Sequence, residues 1–512
     1  MKTFKYKHVG LMLLLLLLLS SCEDFLDKNP TYVLSSEAFW KTETDAKMAL
    51  AGCYDALYFL PPGGAWSQPY LDCLSDNAYA QWASYQWNMG TIVTGDLTPT
   101  TTQFSPNIYK YCYKGIAVFN FFLDNIGKVE SIDSSTKNEY IGQVKFLRAL
   151  FYFHLVEFYG DIILFKESLK SAEEGLVAKS PQKDVLAFIK EDLDFAIANL
   201  PNTAYSGHAV KGSAMGLKAR VLLYEQNWVD AAALAKQIMD GGKFSLADDY
   251  HNIFINAGQK NNPEIMFSCV YLAPDLFQWQ SSEIAGGSMN TEFGWGSHIC
   301  PYWDLVDAYE CIDGKSITES TLYDPTQKWL NRDPRLAYTI RMPNIQWPEG
   351  EPNGAASPTG INMQKYVDLS QAPFSHTRFN QYDQDYVIIR YADVLLMYAE
   401  AKNEASGPDA SIYDALDQVR GRAGVNMPNV DRGKYNTKEL LRDYIRNERR
   451  IELALEGQRY FDLKRWHIAH IVLPKLKTPG GIPLVFQEKN YFIPFPQSEI
   501  DINPNLVQNP GY

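Results

Sequence analysis

The chain has 512 residues, 46% of them hydrophobic, and a formal net charge of −13. That length allows one to three domains. The negative balance argues against nucleic-acid binding, which demands basic surfaces that displace counterions from phosphates, and against electrostatic docking on an anionic membrane. Aromatic content is the unusual figure: 13% of residues, with 32 Tyr and 11 Trp. Such residues suit recognition surfaces, because an apolar ring is joined to a polar handle.

At the start, Lys2, Lys5 and Lys7 precede an apolar run from Val9 to Leu19, and Leu19-Ser20-Ser21-Cys22 puts small residues directly before a cysteine. This is the layout of a removed secretory signal. A transmembrane anchor is the competing reading, but a spanning helix needs about 20 apolar residues and the run is shorter. A plain secretory signal competes too, yet the cysteine stands where a lipoprotein signal peptidase needs one. The expectation is that residues 1–21 are removed and that Cys22 carries the lipid. Several acyl chains hold firmly, since each buried methylene contributes about 0.8 kcal/mol. The remaining body, 22–512, then lies outside the cytoplasm, with 44 basic against 60 acidic residues and a balance of −16. Its six cysteines, Cys53, Cys73, Cys112, Cys269, Cys300 and Cys311, show no Cys-x-x-Cys spacing. They are either paired, with a connectivity the sequence does not give, or free and buried.

Helical periodicity follows. Tyr109 to Ile126 and Glu139 to Tyr159 form one pair of helices. In Ser180 to Leu200, the apolar set Val185, Leu186, Ile189, Leu193, Ala196, Ile197 and Leu200 draws a single stripe. Ser180-Pro181 reads as its cap and first residue, and Pro201 as its stop. Ala214 to Tyr224 and Val229 to Met239 form a second pair, with Ala214, Ala219, Ala231, Ala232 and Ala235 allowing close approach. Tyr391 to Glu404 and Ser411 to Arg422 form a third, and Asn436 to Leu455 a long last helix with Asn436 and Glu439 at capping-box spacing. Gly457 supplies its C′ residue. The expected fold is mainly α: degenerate tetratricopeptide-type hairpins without a strict period of about 34 residues, and long loop excursions carrying short strands.

Two stretches break the helical pattern, Trp66 to Thr102 and Ile255 to Tyr386, and long loops in a compact body are usually functional. In the first, Trp82, Tyr85 and Trp87 stand with Asp76, Asn77, Gln81, Gln86 and Asn88. In the second, Trp279, Phe293 and Trp295 stand with Gln278, Gln280, Asn290 and Glu292. Flat rings pack on the C–H face of a sugar, and amides and carboxylates orient its hydroxyls. Trp82, Tyr85, Trp87, Asn88, Trp279, Phe293 and Trp295 are therefore the candidate ligand-binding residues, against the plainer reading that each ring anchors its own loop. Trp66, Tyr302 and Trp347 are weaker candidates. Trp40, Trp228 and Trp466 fall in helical or motif segments and read as core.

Catalytic signatures are absent: no Gly-x-Ser-x-Gly elbow, Walker loop or His-Glu-x-x-His. Glu448, Glu452 and Glu456 share a helical face with Arg449, Arg450, Arg459 and Arg465 available as partners. They read as a structural ion-pair set rather than a glycosidase pair. His467 and His470 are three apart, but no neighbour in sequence completes a metal set. No cofactor or metal is expected, and loop acids such as Asp304 or Asp307 are the only thought for structural calcium.

Five stretches carry a likeness to one family. They are Lys145 to Phe153 running on to Tyr159-Gly160-Asp161, Asn331-Arg332-Asp333-Pro334-Arg335, Arg390 to Ala401, Glu448 to Trp466, and Ile493 to Pro496 with Gln508 to Tyr512. In order and nearly end to end, the chain resembles the SusD/RagB-like outer-membrane lipoproteins of Bacteroidetes. The resemblance implies one SusD-like body, with a helical-repeat part at about 30–250 and a RagB/SusD-type part at about 260–512. It also implies a non-catalytic, surface-exposed glycan-binding lipoprotein partnering a SusC-like TonB-dependent transporter, or a peptide-capturing one like RagB. Glu23-Asp24 is similar to the acidic surface-export signal of that phylum. Arg332 to Arg335 reads as a buried polar lock.

Overall fold

The protein is described here from a computed structural model that covers residues 39–60, 65–81, 87–272, 298–342, 357–371 and 383–512. The signal, Cys22 and Glu23-Asp24 lie outside these residues. Among those described, no helix is long and apolar enough to cross a membrane.

Helix α1 (Glu43–Asp55) opens on a capping box between Thr42 and Asp45. It was not foreseen: its apolar stripe is thin, and only Ala46, Leu50 and Cys53 are buried. The foreseen pairs follow as α2 (Phe104–Asn125), α3 (Ser134–Tyr159), α4 (Gln182–Asn199), α5 (Lys211–Tyr224) and α6 (Trp228–Gly241). Later come α7 (Tyr391–Ser406), α8 (Ala410–Gly421), α9 (Lys438–Glu452) and α10 (Arg459–Arg465). Each helix from α2 to α6 packs on the next, and α7 joins the stack against α6 before pairing with α8 and α9. Ala214, Ala219, Ala231 and Ala235 are buried at these contacts, as the small-residue pattern requires.

Two caps sit one residue from where the sequence put them. Pro181, not Ser180, is the N-cap of α4, because Ser180 is taken by an isolated bridge to Ile162. Thr437, not Asn436, caps α9, its hydroxyl accepting from the Leu440 amide at 3.3 Å. Helix α9 also stops at Glu452, short of Leu455. The carbonyls at and just beyond this end are taken by side chains from elsewhere: Tyr250 and Tyr309 donate to Glu452 and Ile451, and Tyr366 and Tyr386 to Leu455 and Glu456, at 2.8–3.2 Å. Orphan carbonyls at a buried helix end require such donors, so part of the tyrosine surplus serves the core.

Among the described residues, the long excursions carry short strands in three two-stranded antiparallel sheets. Strand β1 (Ala78–Ala80) pairs with β3 (Ile299–Pro301), β2 (Ile265–Cys269) with β6 (Tyr386–Arg390), and β4 (Ile340–Arg341) with β5 (Asn362–Met363). The C-terminal tail returns to the N-terminal helices. Ile493 N–H donates to Phe158 O at 2.8 Å, Ser105 Oγ to Pro494 O at 2.5 Å, and Asn509 Nδ2 to Tyr159 O at 2.9 Å.

The six cysteines are free and buried, which settles the alternative left open by the sequence.

Candidate ligand face

The Glu448 to Trp466 motif is structural, but its partners are not those expected. Glu452 accepts from Arg335 at 2.7 Å, Arg390 at 2.7 Å and Arg422 at 2.6 Å; Glu448 from Arg335 at 2.6 Å and Arg420 at 3.0 Å; Glu456 from Arg390 at 2.9 Å and Lys365 at 2.5 Å. These cations come from other elements, so the pairs are long-range and buried rather than neighbours along one helix. Burial alone would raise the Glu452 carboxyl, but Arg422, Arg390 and Arg335 hold it well below the usual carboxylate range. Such a carboxylate is locked in its charged form and cannot act as a general acid. The arginines of the motif turn elsewhere: Arg449 to Asp393 and Asp462, Arg465 to Glu400 and Asp462, Arg450 and Arg459 to Asp76. The Arg332 to Arg335 turn is the expected lock. Arg332 donates to Val306 O and Tyr309 O at 2.6 and 2.7 Å, and Asp333 caps the helix Pro334–Thr339.

The candidate face is fastened by β1 and β3. The register Ala80↔Ile299 pairs the described flanks of the two aromatic stretches, since Ala80 comes just before residues 82–86 in the chain and Ile299 just after residues 273–297. The β2–β6 register Cys269↔Tyr386 holds the other end of the second stretch. Asp385 reinforces it, accepting from Ser268 Oγ at 2.8 Å and Tyr271 N–H at 3.2 Å. Of the candidates, Trp82, Tyr85, Trp279, Phe293 and Trp295 lie outside the described residues, as does Trp347.

Trp87 and Asn88 are described. Both adopt left-handed backbone, with φ of 50° and 61°, which costs a non-glycine residue about 1 kcal/mol or more. Trp87 is half-buried and meets Tyr70 edge-on, with centroids 5.1 Å apart. Tyr70 in turn lies 3.1 Å, Oη to Nδ1, from His298. The foot of the first stretch and the end of the second thus share one buried tyrosine. Asn88 donates to Thr102 O and, at 3.2 Å, to Thr102 Oγ1, so its amide nitrogen closes its own loop.

Two polar residues assigned to the first loop serve the scaffold instead. Asp76 is buried against Arg450 and Arg459 at 3.1 and 2.8 Å. Asn77 donates to Asp72 at 2.7 Å and accepts from Arg450 at 2.9 Å. Tyr302 is also buried. Trp40 packs edge-on against Phe122, and Trp466 donates to Glu400 at 2.7 Å, so both are core as expected.

Glu488 was missed by the sequence reading. It approaches His467 and His470 so that one ligating atom from each lies within 4.8 Å of the others. The signal was not visible, because Glu488 comes from a separate turn.

The scaffold is thus a stack of helical hairpins whose loop excursions are tied down in pairs by short sheets. A family model described as the SusD family matches residues 263–512, and one described as starch-binding associating with outer membrane matches residues 24–223. The chain belongs to the SusD/RagB-like family. It is 25% identical over 553 residues to SusD-like protein P25 of Formosa agariphila, covering 99% of this chain and 100% of that one. A SusD-like carbohydrate binding protein from Bacteroides fragilis superposes with a TM-score of 0.80 at 29% identity, over 92% of this chain and 100% of that one. A laminarin binding SusD-like protein does so with a TM-score of 0.68 at 25% identity, over 92% and 100%.

Proposed function

We propose that this chain is a non-catalytic glycan-binding lipoprotein, anchored through Cys22 on the outer face of the outer membrane, that passes oligo- or polysaccharide to a SusC-like TonB-dependent transporter. The observation that supports the reading is the register Ala80↔Ile299, which pairs the strand before the first ring-and-amide stretch with the strand after the second. A sugar chain presents alternating apolar faces and hydroxyl edges, and two such loops offer rings for the first and amides for the second. Trp82, Tyr85, Trp87, Trp279, Phe293 and Trp295 supply the rings, with Asn88 holding the first loop closed. The buried ion pairs of Glu448, Glu452 and Glu456 leave no free carboxylate pair in that motif for glycoside hydrolysis. The relatives from Bacteroides fragilis and the laminarin-binding one support a carbohydrate as cargo.

Affinity electrophoresis of protein beginning after Cys22, across gels containing single polysaccharides, tests this. At least one glycan retards the protein, and Trp82→Ala or Trp295→Ala reduces the retardation with the circular dichroism unchanged. Retardation equal to wild type in both variants removes the site assignment. An oligopeptide co-purifying in mass spectrometry, with no glycan retarding the protein, replaces the cargo.

A further inference from the structure

We propose that His467, His470 and Glu488 form a surface binding site for a divalent transition metal of the zinc type. The turn after α10 sets up the two imidazoles. His467 has φ of 54°, and its N–H donates to Lys464 O at 2.8 Å while Ile468 N–H donates to Leu463 O at 3.0 Å. That turn brings the His467 and His470 rings to 5.2 Å between centroids. Glu488 arrives on the separate 3₁₀ turn Glu488–Tyr491, whose entry Gln487 and Asn490 fix through a reciprocal cap. His467 Nε2 then lies 3.7 Å from Glu488 Oε2.

Tyr491 makes this more than three exposed side chains in proximity. Its ring stacks on His467 with centroids 4.2 Å apart and 23° between planes, and its hydroxyl lies 2.7 Å from His470 Nδ1. A hydrogen bond at one imidazole nitrogen is the usual way a ligating histidine is oriented. With Nδ1–H donating to the Tyr491 oxygen, Nε2 of His470 carries the lone pair a metal needs.

Two imidazoles and one carboxylate are a zinc donor set with an open fourth position. Bonds of about 2.0–2.2 Å in a tetrahedron put ligands roughly 3.4 Å apart, close to the 3.7 Å between His467 and Glu488. Rotation of exposed side chains is enough to close the difference. Calcium is excluded by chemistry, since it takes six to eight oxygen donors, whereas imidazole suits zinc, copper and nickel. A bound ion clips residues 488–491 to the end of α10 and thereby secures the start of the C-terminal tail. This site is independent of the glycan face.

Titration calorimetry on chelator-treated, untagged protein beginning after Cys22 tests the proposal, with zinc chloride and calcium chloride as the two probes. Zinc binds one to one and calcium gives no heat. Zinc affinity falls at least 100-fold in His467→Ala/His470→Ala, and about 10-fold in Tyr491→Phe, the range expected for an orienting partner. The three ligating side chains are exposed while Tyr491 is buried beneath them, and unchanged circular dichroism confirms that the variants fold. Absence of zinc binding overturns the proposal, as does wild-type zinc affinity in the double histidine variant.

Discussion

Tyr70 Oη lies 3.1 Å from His298 Nδ1, joining the 3₁₀ segment Ala65–Leu74 to the residue just before β3. Burial pulls His298 down to about 4. Its unfolded value is about 6.5, so the unfolded chain binds the extra proton first as pH falls. The stability linked to His298 is fully present above pH 6.5 and is lost as pH drops through about 4, by up to roughly 3 kcal/mol. Urea unfolding at pH 7 and pH 4.5 measures this, and His298→Asn flattens the difference. The same acid shift lowers the hydrogen-exchange protection factors of Ile299 and Cys300 in β3, taken relative to the intrinsic exchange rate at each pH.

Asp76→Asn removes the counter-charge of two arginines, Arg450 and Arg459, at the entry to β1. Leaving buried charge uncompensated costs about 3–5 kcal/mol. Arg450 and Arg459 outweigh burial and hold the Asp76 carboxyl below the usual range. Its contribution is therefore present above the unfolded value of about 3.9 and lost as pH falls below it. Guanidinium midpoints at pH 7 show the full loss for the variant, and a smaller one at pH 3.

Gly457 has φ of 77°, and a Cβ there would stand 2.3 Å from the Gln68 carbonyl oxygen. Gly457→Ala combines left-handed strain of about 1 kcal/mol with a clash against backbone that cannot rotate aside. A destabilisation above about 2 kcal/mol is expected, read as a fall in Tm.

Glu452→Gln leaves Arg335, Arg390 and Arg422 short of a shared carboxylate and costs about 3–5 kcal/mol. Lys434→Ala breaks an ion pair with Glu319 of similar length, 2.7 Å, in which both side chains are over 40% exposed. Its cost is within about 1 kcal/mol. Parallel chemical denaturation of the two variants separates them.

Native protein beginning after Cys22 takes up no iodoacetamide, whereas unfolded protein takes up six equivalents, because the six thiols are buried and unpaired. Burial raises the Cys73 and Cys112 thiols well above their ordinary value, which keeps the reactive thiolate scarce. Mass spectrometry after alkylation counts them.

The helices were legible because each carries its own evidence: a stripe at intervals of three and four, a cap, a stop. Strands of two to five residues offer no periodicity long enough to register. The ion-pair set was half legible. Glu448, Glu452 and Glu456 lie on one face, but their cations sit up to 117 residues away, and no local pattern selects Arg335 or Arg390 over Arg449. The same limit hid Glu488 from His467. At the candidate face, residue type pointed to the rings, yet it could not tell the amides of a binding loop from Asn77, whose side chain is spent on Asp72 and Arg450.

The tail from Ile493 onward lies across the turn that ends α3 and the start of α2, reaching back 389 residues from Pro494 to Ser105. Helices made first therefore wait for residues made last. Closing so large a loop is entropically slow, so the N-terminal hairpins stay unsealed until the final segment is available. A chain missing its last twenty residues lacks the bonds to Phe158, Ser105 and Tyr159, so the end of α3 and the start of α2 are left without the partners that only the tail supplies.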